Sequence, residues 1–170
     1  MADQDPGPLA LFHPIIAQWF LRTFGQPTDV QARAWPEIAD GSHVLVAAPT
    51  GTGKTLTAFL WGINQLVRGV WRPDAVRILY VSPLKALNND IQRNLLVPLE
   101  QITRAFEQAG ERLPTIRVQT RSGDTLPADR RRMLRKPPEI LITTPESLNL
   151  LLSTPTGRTM LSGLDTVILD

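Results

Sequence analysis

Apolar positions along this 170-residue chain follow two alternating rhythms. Between Leu11 and Phe24 they fall at Phe12, Ile15, Ile16, Trp19, Phe20 and Phe24, which is one face of a helix. Pro14 is tolerated there because it lies in the first turn. Gly25 and Pro27 end that helix, and Thr28 or Asp29 caps a second one that carries Val30, Ala34, Trp35 and Ile38 as far as Gly41. His43-Val44-Leu45-Val46-Ala47 is short, apolar and β-branched, the pattern of a buried strand. Helical spacing returns at Leu56, Phe59, Leu60, Ile63, Leu66 and Val67.

The alternation continues to the end of the chain. Val76 to Val81 reads as a strand that exits at Ser82-Pro83. A long helix follows, with apolar positions from Leu84 to Phe106, and Pro98 inside it predicts a kink or a split. Ile116 to Thr120 reads as a strand, Arg121 to Thr125 as a polar turn, and Ala128 to Arg135 as a short basic helix stopped by Pro137-Pro138. Glu139 to Thr143 is a further strand. Thr144 then caps a helix begun by Pro145 and striped with Leu148, Leu151 and Leu152. Thr166 to Asp170 is the last strand. Strands alternating with helices predict an α/β fold, a mainly parallel sheet with helices on both faces. Three segments are expected: a frayed tail over 1–8, helices over 9–41 and an α/β region over 42–170.

The loop between the His43–Ala47 run and the next helix reads Ala48-Pro49-Thr50-Gly51-Thr52-Gly53-Lys54-Thr55. It fits G-x-x-x-x-G-K-[ST], with Ala48 in the first small position, and it has the strand-then-helix context that a phosphate-binding loop needs. Gly51 and Gly53 let the backbone turn sharply and bring N–H groups close to an anion. The helix from Lys54 adds its positive end. Lys54 supplies a mobile charge for the β- and γ-phosphates, and Thr55 a hydroxyl for Mg²⁺. Thr50, Gly51, Thr52, Gly53, Lys54 and Thr55 are therefore the candidate nucleotide ligands. Gln31 precedes this loop by a short helix and strand, and its amide matches the N6/N7 edge of adenine.

Composition narrows the chemistry. Cysteine is absent, which removes disulfides, thiol catalysis and cysteine-zinc sites, and two histidines make a histidine metal centre a poor fit. The net charge of +2 does not by itself argue for a polyanion partner. Arg130, Arg131, Arg132 and Arg135 read first as a solvated helix face, with direct phosphate contact as the alternative. No apolar run reaches the roughly 18 residues that a membrane span needs. Asp3 and Asp5 stand where a secretion signal carries positive charge, so a cytoplasmic setting is expected.

Taken together, the spaced signatures resemble superfamily 2 helicases of the DEAD/DEAH-box type, and in particular the large helicase-related (Lhr) family. The residues that carry this are Phe24-Gly25-x-Pro27-Thr28-x-x-Gln31, Ala48 to Thr55, Ser82-Pro83-Leu84-Lys85-Ala86-Leu87, Arg121-Ser122-Gly123-Asp124-Thr125, Thr143-Thr144-Pro145-Glu146 and Val167-Ile168-Leu169-Asp170. The resemblance implies a RecA-like P-loop NTPase domain, incomplete because the chain stops at the D-E-x-H strand. It implies ATP and Mg²⁺ as ligands, with Gln31 recognising adenine, Lys54 and Asp170 serving catalysis, and Thr55 and Asp170 serving the metal. Pro83, Leu84 and Lys85, then Gly123, Asp124 and Thr125, then Thr144, Pro145 and Glu146 resemble motifs Ia, Ib and Ic. The implied partner is single-stranded DNA or an RNA–DNA hybrid, held by phosphates and sugars without sequence preference. Triphosphate and strand are expected along one rim of the sheet.

The glutamate that follows Asp170 in such helicases is absent from the sequence, as is the second RecA-like domain with its arginine finger. The expectation is a stretch of a longer ATP-dependent helicase whose isolated form folds poorly and does not turn over ATP. Two other classes stay open: a nucleotide-gated nucleic-acid-binding module without hydrolysis, and another P-loop NTPase such as a GTPase or small-molecule kinase. The second lacks the Asn-Lys-x-Asp that reads guanine.

Overall fold

The computed structural model describes residues 7–49, 51–83 and 91–170. The expectations placed on residues 1–6, Thr50, Leu84 and Lys85 lie outside the described residues; Gly7 and Pro8, expected in the frayed tail, belong instead to a 3₁₀ turn. The chain divides into two compact units, one of residues 1–68 and 90–113, the other of residues 69–89 and 114–170.

The first unit is helical. A 3₁₀ turn over Gly7–Leu11 buries Leu9 and leads into α1, Pro14–Phe24. The His13 side chain accepts from the Ile15 N–H to cap α1, and Gly25, at φ 78°, ends it with a bond to the Leu21 carbonyl. In α2, Asp29–Ala39, Thr28 and Gln31 form a reciprocal capping box. α3 spans Lys54–Val67, with Phe59, Leu60 and Ile63 fully buried. The core is aromatic. Phe12 meets Trp35 edge-on at 4.7 Å and Trp61 at 5.8 Å, and Phe20 meets Trp35 at 5.4 Å. Its polar atoms are matched: the Trp35 Nε1–H donates to the Thr57 carbonyl, and buried Asn64 bonds the His13 N–H and the Leu11 carbonyl. Ahead of α4, Val97–Gln108, the chain makes a wide π turn over Gln92–Leu96 in which the Val97 N–H reaches the Gln92 carbonyl. The change of helix type falls just before Pro98: the chain is helical from Ile91 onward, and proline has no N–H to give to the preceding turn, which is where the sequence predicts a kink or a split.

One expected element is corrected here. His43–Ala47 forms no strand, and Leu45 is 95% exposed. A β-branched run supplies the side chains of a strand but not the ladder, and no segment among the described residues pairs with it.

The second unit carries the sheet. β1 is Ile78–Val81, β2 Val118–Arg121, β3 Ile140–Thr143 and β4 Thr166–Leu169, ordered β2-β3-β1-β4 and parallel throughout. Leu79, Val81 and Leu141 pack with Met133 of α5, Pro127–Arg135, with Leu151 of α6, Pro145–Leu152, and with Met160 and Leu161 of α7, Pro155–Leu161. Ile78, Tyr80, Ile140 and Ile142, on the opposite face, are also buried.

The helix α7 was not expected from the sequence. Thr154 caps it through the Gly157 N–H at 3.1 Å, and Gly157 lies so close to α6 that a Cβ there would stand 2.1 Å from the Leu151 carbonyl oxygen. Gly157→Ala is therefore expected to push α7 off α6 and to destabilise the unit by about 2 kcal/mol. Faster amide exchange in α6 and α7 would report it, and unchanged exchange would show that the backbone yields freely.

At the N-terminal ends of the strands, fully buried Glu139 accepts from the Asp74 N–H (2.8 Å), the Arg117 N–H (2.8 Å) and the Arg117 guanidinium (2.6 and 3.1 Å). Arg117 also reaches Asp74 at 2.8 Å. Burial pushes the Glu139 carboxyl up, but these hydrogen bonds more than reverse it and hold the group below the ordinary carboxylate range.

Candidate nucleotide and nucleic-acid site

The turn over 48–55 lies in the first unit. Gly51 and Gly53 sit at φ 85° and 83°, a region that a side chain makes costly. Gly53 is the N-cap of α3 and offers no side chain, so the first-turn N–H groups of α3 have no side-chain cap. The Lys54 ammonium spans the turn, donating to the Ala48 carbonyl at 2.6 Å and the Pro49 carbonyl at 2.8 Å. Thr52 Oγ1 donates to the Pro49 carbonyl at 2.9 Å, and Thr28 Oγ1 donates to the Thr52 carbonyl at 3.1 Å. Gln31 is 3% exposed, and its Oε1 accepts from the Thr28 N–H. Its Nε2 lies 2.7 Å from where a Gly53 Cβ would stand, so a side chain there would displace the Gln31 amide as well as strain the backbone at φ 83°. Thr55 is half-buried in the first turn of α3. Gln31, Gly51, Thr52, Gly53, Lys54 and Thr55 are thus brought to one turn and the helices beside it.

In the second unit the remaining described candidates share one edge. The ladders pair Val81 with Thr143 and with Leu169, and Arg121 with Thr143, so the four strands end level. Pro83 follows β1, Gly123 to Thr125 follow β2, Thr144 to Glu146 follow β3 and Asp170 follows β4. All of them lie at the C-terminal edge of a parallel sheet, where open α/β sheets bind ligands. Thr144 uses its hydroxyl to cap α6 at the Ser147 N–H, while Pro145 and Glu146 are exposed. Gly123 and Asp124 are exposed. Thr125 Oγ1 is engaged inside its own loop, accepting from the Ser122 N–H at 2.9 Å. Burial of the Arg121 guanidinium, at the end of β2, lowers its pKa, and the charge of Arg130 adds to that.

Asp170 is exposed, and its carboxylate accepts from the Tyr80 hydroxyl. Ladder geometry explains that contact. Tyr80 pairs with Ile168, and the two-residue period of a strand puts Asp170 on the same face. The sequence reading passed over Tyr80, although its place on β1, three residues before Pro83, was visible.

For Mg²⁺, the two residues that the sequence assigns are a hydroxyl and a carboxylate, both hard oxygen donors. No cluster of three or more His, Cys, Asp or Glu able to hold a metal occurs among the described residues.

Residues 28–170 match the DEAD/DEAH box helicase family. The chain belongs to that family. It is 48% identical over its whole length to a protein of Mycolicibacterium smegmatis named Lhr helicase/probable uracil glycosylase, of which it covers 11%. It is also 48% identical, over 91% of its length, to the ATP-dependent helicase Lhr-Core of Methanocaldococcus jannaschii, covering 19% of that protein. The solved structure of Mycobacterium smegmatis helicase Lhr bound to ssDNA and AMP-PNP superposes with a TM-score of 0.88 at 49% identity, over 96% of this chain and 21% of that one. The chain therefore spans between about a tenth and a fifth of these relatives. The parallel α/β architecture of this family member is that of RecA-like helicase domains. No helix among the described residues is long and apolar enough to cross a membrane.

Proposed function

We propose that this DEAD/DEAH-family chain is the nucleotide-binding part of the first motor domain of an ATP-driven translocase on single-stranded DNA or an RNA–DNA hybrid. Residues 9–41 carry the adenine-reading glutamine, and 42–170 belong to the ATP-binding domain. The second RecA-like domain belongs to the longer protein. The observation that carries this reading is the turn itself, with two left-handed glycines, an uncapped helix start and a lysine held across the mouth.

Each residue then has a physical task. The N–H groups of the turn, from Thr50 to Thr55, receive the phosphates, and Lys54 moves from backbone carbonyls to phosphate oxygens. Gln31 Oε1 keeps a second lone pair beside the Thr28 N–H, so its amide accepts from adenine N6–H there and donates from Nε2 to N7. Thr55 and Asp170 would hold Mg²⁺, which neutralises charge on the phosphates when bound. Pro83, Leu84 and Lys85, Gly123 to Thr125, and Thr144 to Glu146 hold one strand by its backbone. None of them is an array of base-reading side chains, so binding is indifferent to sequence.

Competition for a fluorescent ATP analogue on the longer protein tests the nucleotide assignment. ATP is expected to displace it about tenfold better than GTP, the scale of one edge-recognition pair. Equal displacement would remove Gln31 from adenine recognition.

A further inference from the structure

The four arginines of α5 do not behave as one patch. Arg132 pairs with Asp129 at 3.4 Å, and Arg131 and Arg135 are exposed. Arg130 instead turns back under the loop that follows β2. Its Nε donates to the Thr125 carbonyl at 2.8 Å, and its Nη2 donates to the Gly123 carbonyl at 2.6 Å and the Ser122 carbonyl at 3.2 Å. One guanidinium therefore holds three of the four carbonyls between Ser122 and Thr125. Thr125 closes the loop from within, through its N–H to the Ser122 carbonyl at 3.3 Å and its hydroxyl to the Ser122 N–H at 2.9 Å.

We propose that Arg130 is a positioning residue for strand binding: it fixes the Ser122–Thr125 loop by its carbonyls and does not itself contact phosphate. This rests on the reading of Gly123 to Thr125 as a strand-binding loop. Carbonyl oxygens repel a phosphate, and a guanidinium bound to them offsets that repulsion. The bonds also order the loop before the strand arrives, which removes an entropy cost from binding. Only arginine suits the task, because its planar fork spans several acceptors while a lysine ammonium is a point charge.

The test uses the longer protein with the variants Arg130→Gln, Arg130→Lys, Arg131→Gln and Gly123→Glu. Strand affinity is read by anisotropy across a salt series, the loop by amide exchange, and coupling by strand-stimulated ATPase. Arg130→Gln and Arg130→Lys are both expected to weaken strand binding about tenfold, the scale of a few side chains no longer pre-ordered. The slope of log K against log salt stays as in the parent, exchange in 122–125 speeds up, and exchange in β2 and β3 does not change. The strand concentration for half-maximal ATPase rises, with the maximal rate kept. Arg131→Gln leaves affinity near the parent value.

A salt slope reduced by about 0.7 in Arg130→Gln, with affinity kept by Arg130→Lys, would mean a direct phosphate contact and would overturn the proposal. Weakened binding in Gly123→Glu with full binding in Arg130→Gln would also overturn it. Full binding in Gly123→Glu would instead overturn the reading of the loop on which the proposal rests.

Discussion

Lys54→Ala is expected to lower ATP turnover of the longer protein by about 100-fold or more, the usual scale for one charge-stabilising group at a reacting centre. The ammonium is already confined, bridging the Ala48 and Pro49 carbonyls at the mouth of the turn. A γ-phosphate arriving there offers stronger, charge-assisted acceptors, so the lysine need only exchange partners over a short distance. Nucleotide affinity should fall less than turnover, because the glycine turn and the start of α3 still present their N–H groups. Strand affinity without nucleotide should be largely kept, since Pro83, Gly123 to Thr125 and Thr144 to Glu146 belong to other loops. Steady-state ATPase assays with and without strand, beside anisotropy titrations, separate these quantities. Turnover equal to the parent would remove Lys54 from phosphate recognition and leave the turn a structural lead into α3.

The parts that the sequence made legible are those written in local chemistry. The sequence offers Thr28 or Asp29 as a cap, and the structure takes Thr28, whose Thr-x-x-Gln spacing allows the capping box with Gln31. Thr144-Pro145 announced α6 in the same way. Parallel strands each followed by a candidate motif placed Pro83, Gly123, Thr144 and Asp170 at one edge, because in a parallel sheet every strand ends on the same side. Where the reading failed, the missing information was tertiary. His43–Ala47 has the side chains of a buried strand, but a ladder needs a neighbour. The helix α7 is seven residues long, too short for periodicity to declare, although Thr154-Pro155 repeats the start of α6. Charge pattern alone could not divide the arginines of α5, because the contact that sets Arg130 apart is with backbone carbonyls, which carry no sequence signature.

Glu139 was equally silent, one residue at the start of a strand, and its replacement is expected to have the largest effect on stability. Glu139→Gln keeps the shape but removes the charge that faces Arg117, whose side chain is only 20% exposed. Removing one partner of a buried pair costs about 3–5 kcal/mol when the other charge is left alone; Arg117 keeps Asp74 at 2.8 Å, so the lower end of that range is expected here. The loss should spread from one place, since Glu139 joins the backbone of Asp74, at φ 69°, to the start of β2 and to β3 itself. Amide exchange of Ile140 to Thr143 measures it locally. The pH dependence supplies a sign. Because the folded group titrates below its unfolded value of about 4.3, the unfolded chain binds more protons between the two, and stability falls as pH drops through that window. The contribution is complete above about pH 5 and disappears once pH has passed below the folded pKa. Arg117, raised chiefly by its hydrogen bond to Glu139, stays charged throughout and adds no slope. The parent protein should therefore lose protection in β3 as acid is added, while Glu139→Gln starts lower and lacks that part of the acid-dependent loss. Parallel acid profiles for the two proteins would mean that the carboxylate is not what the three elements share.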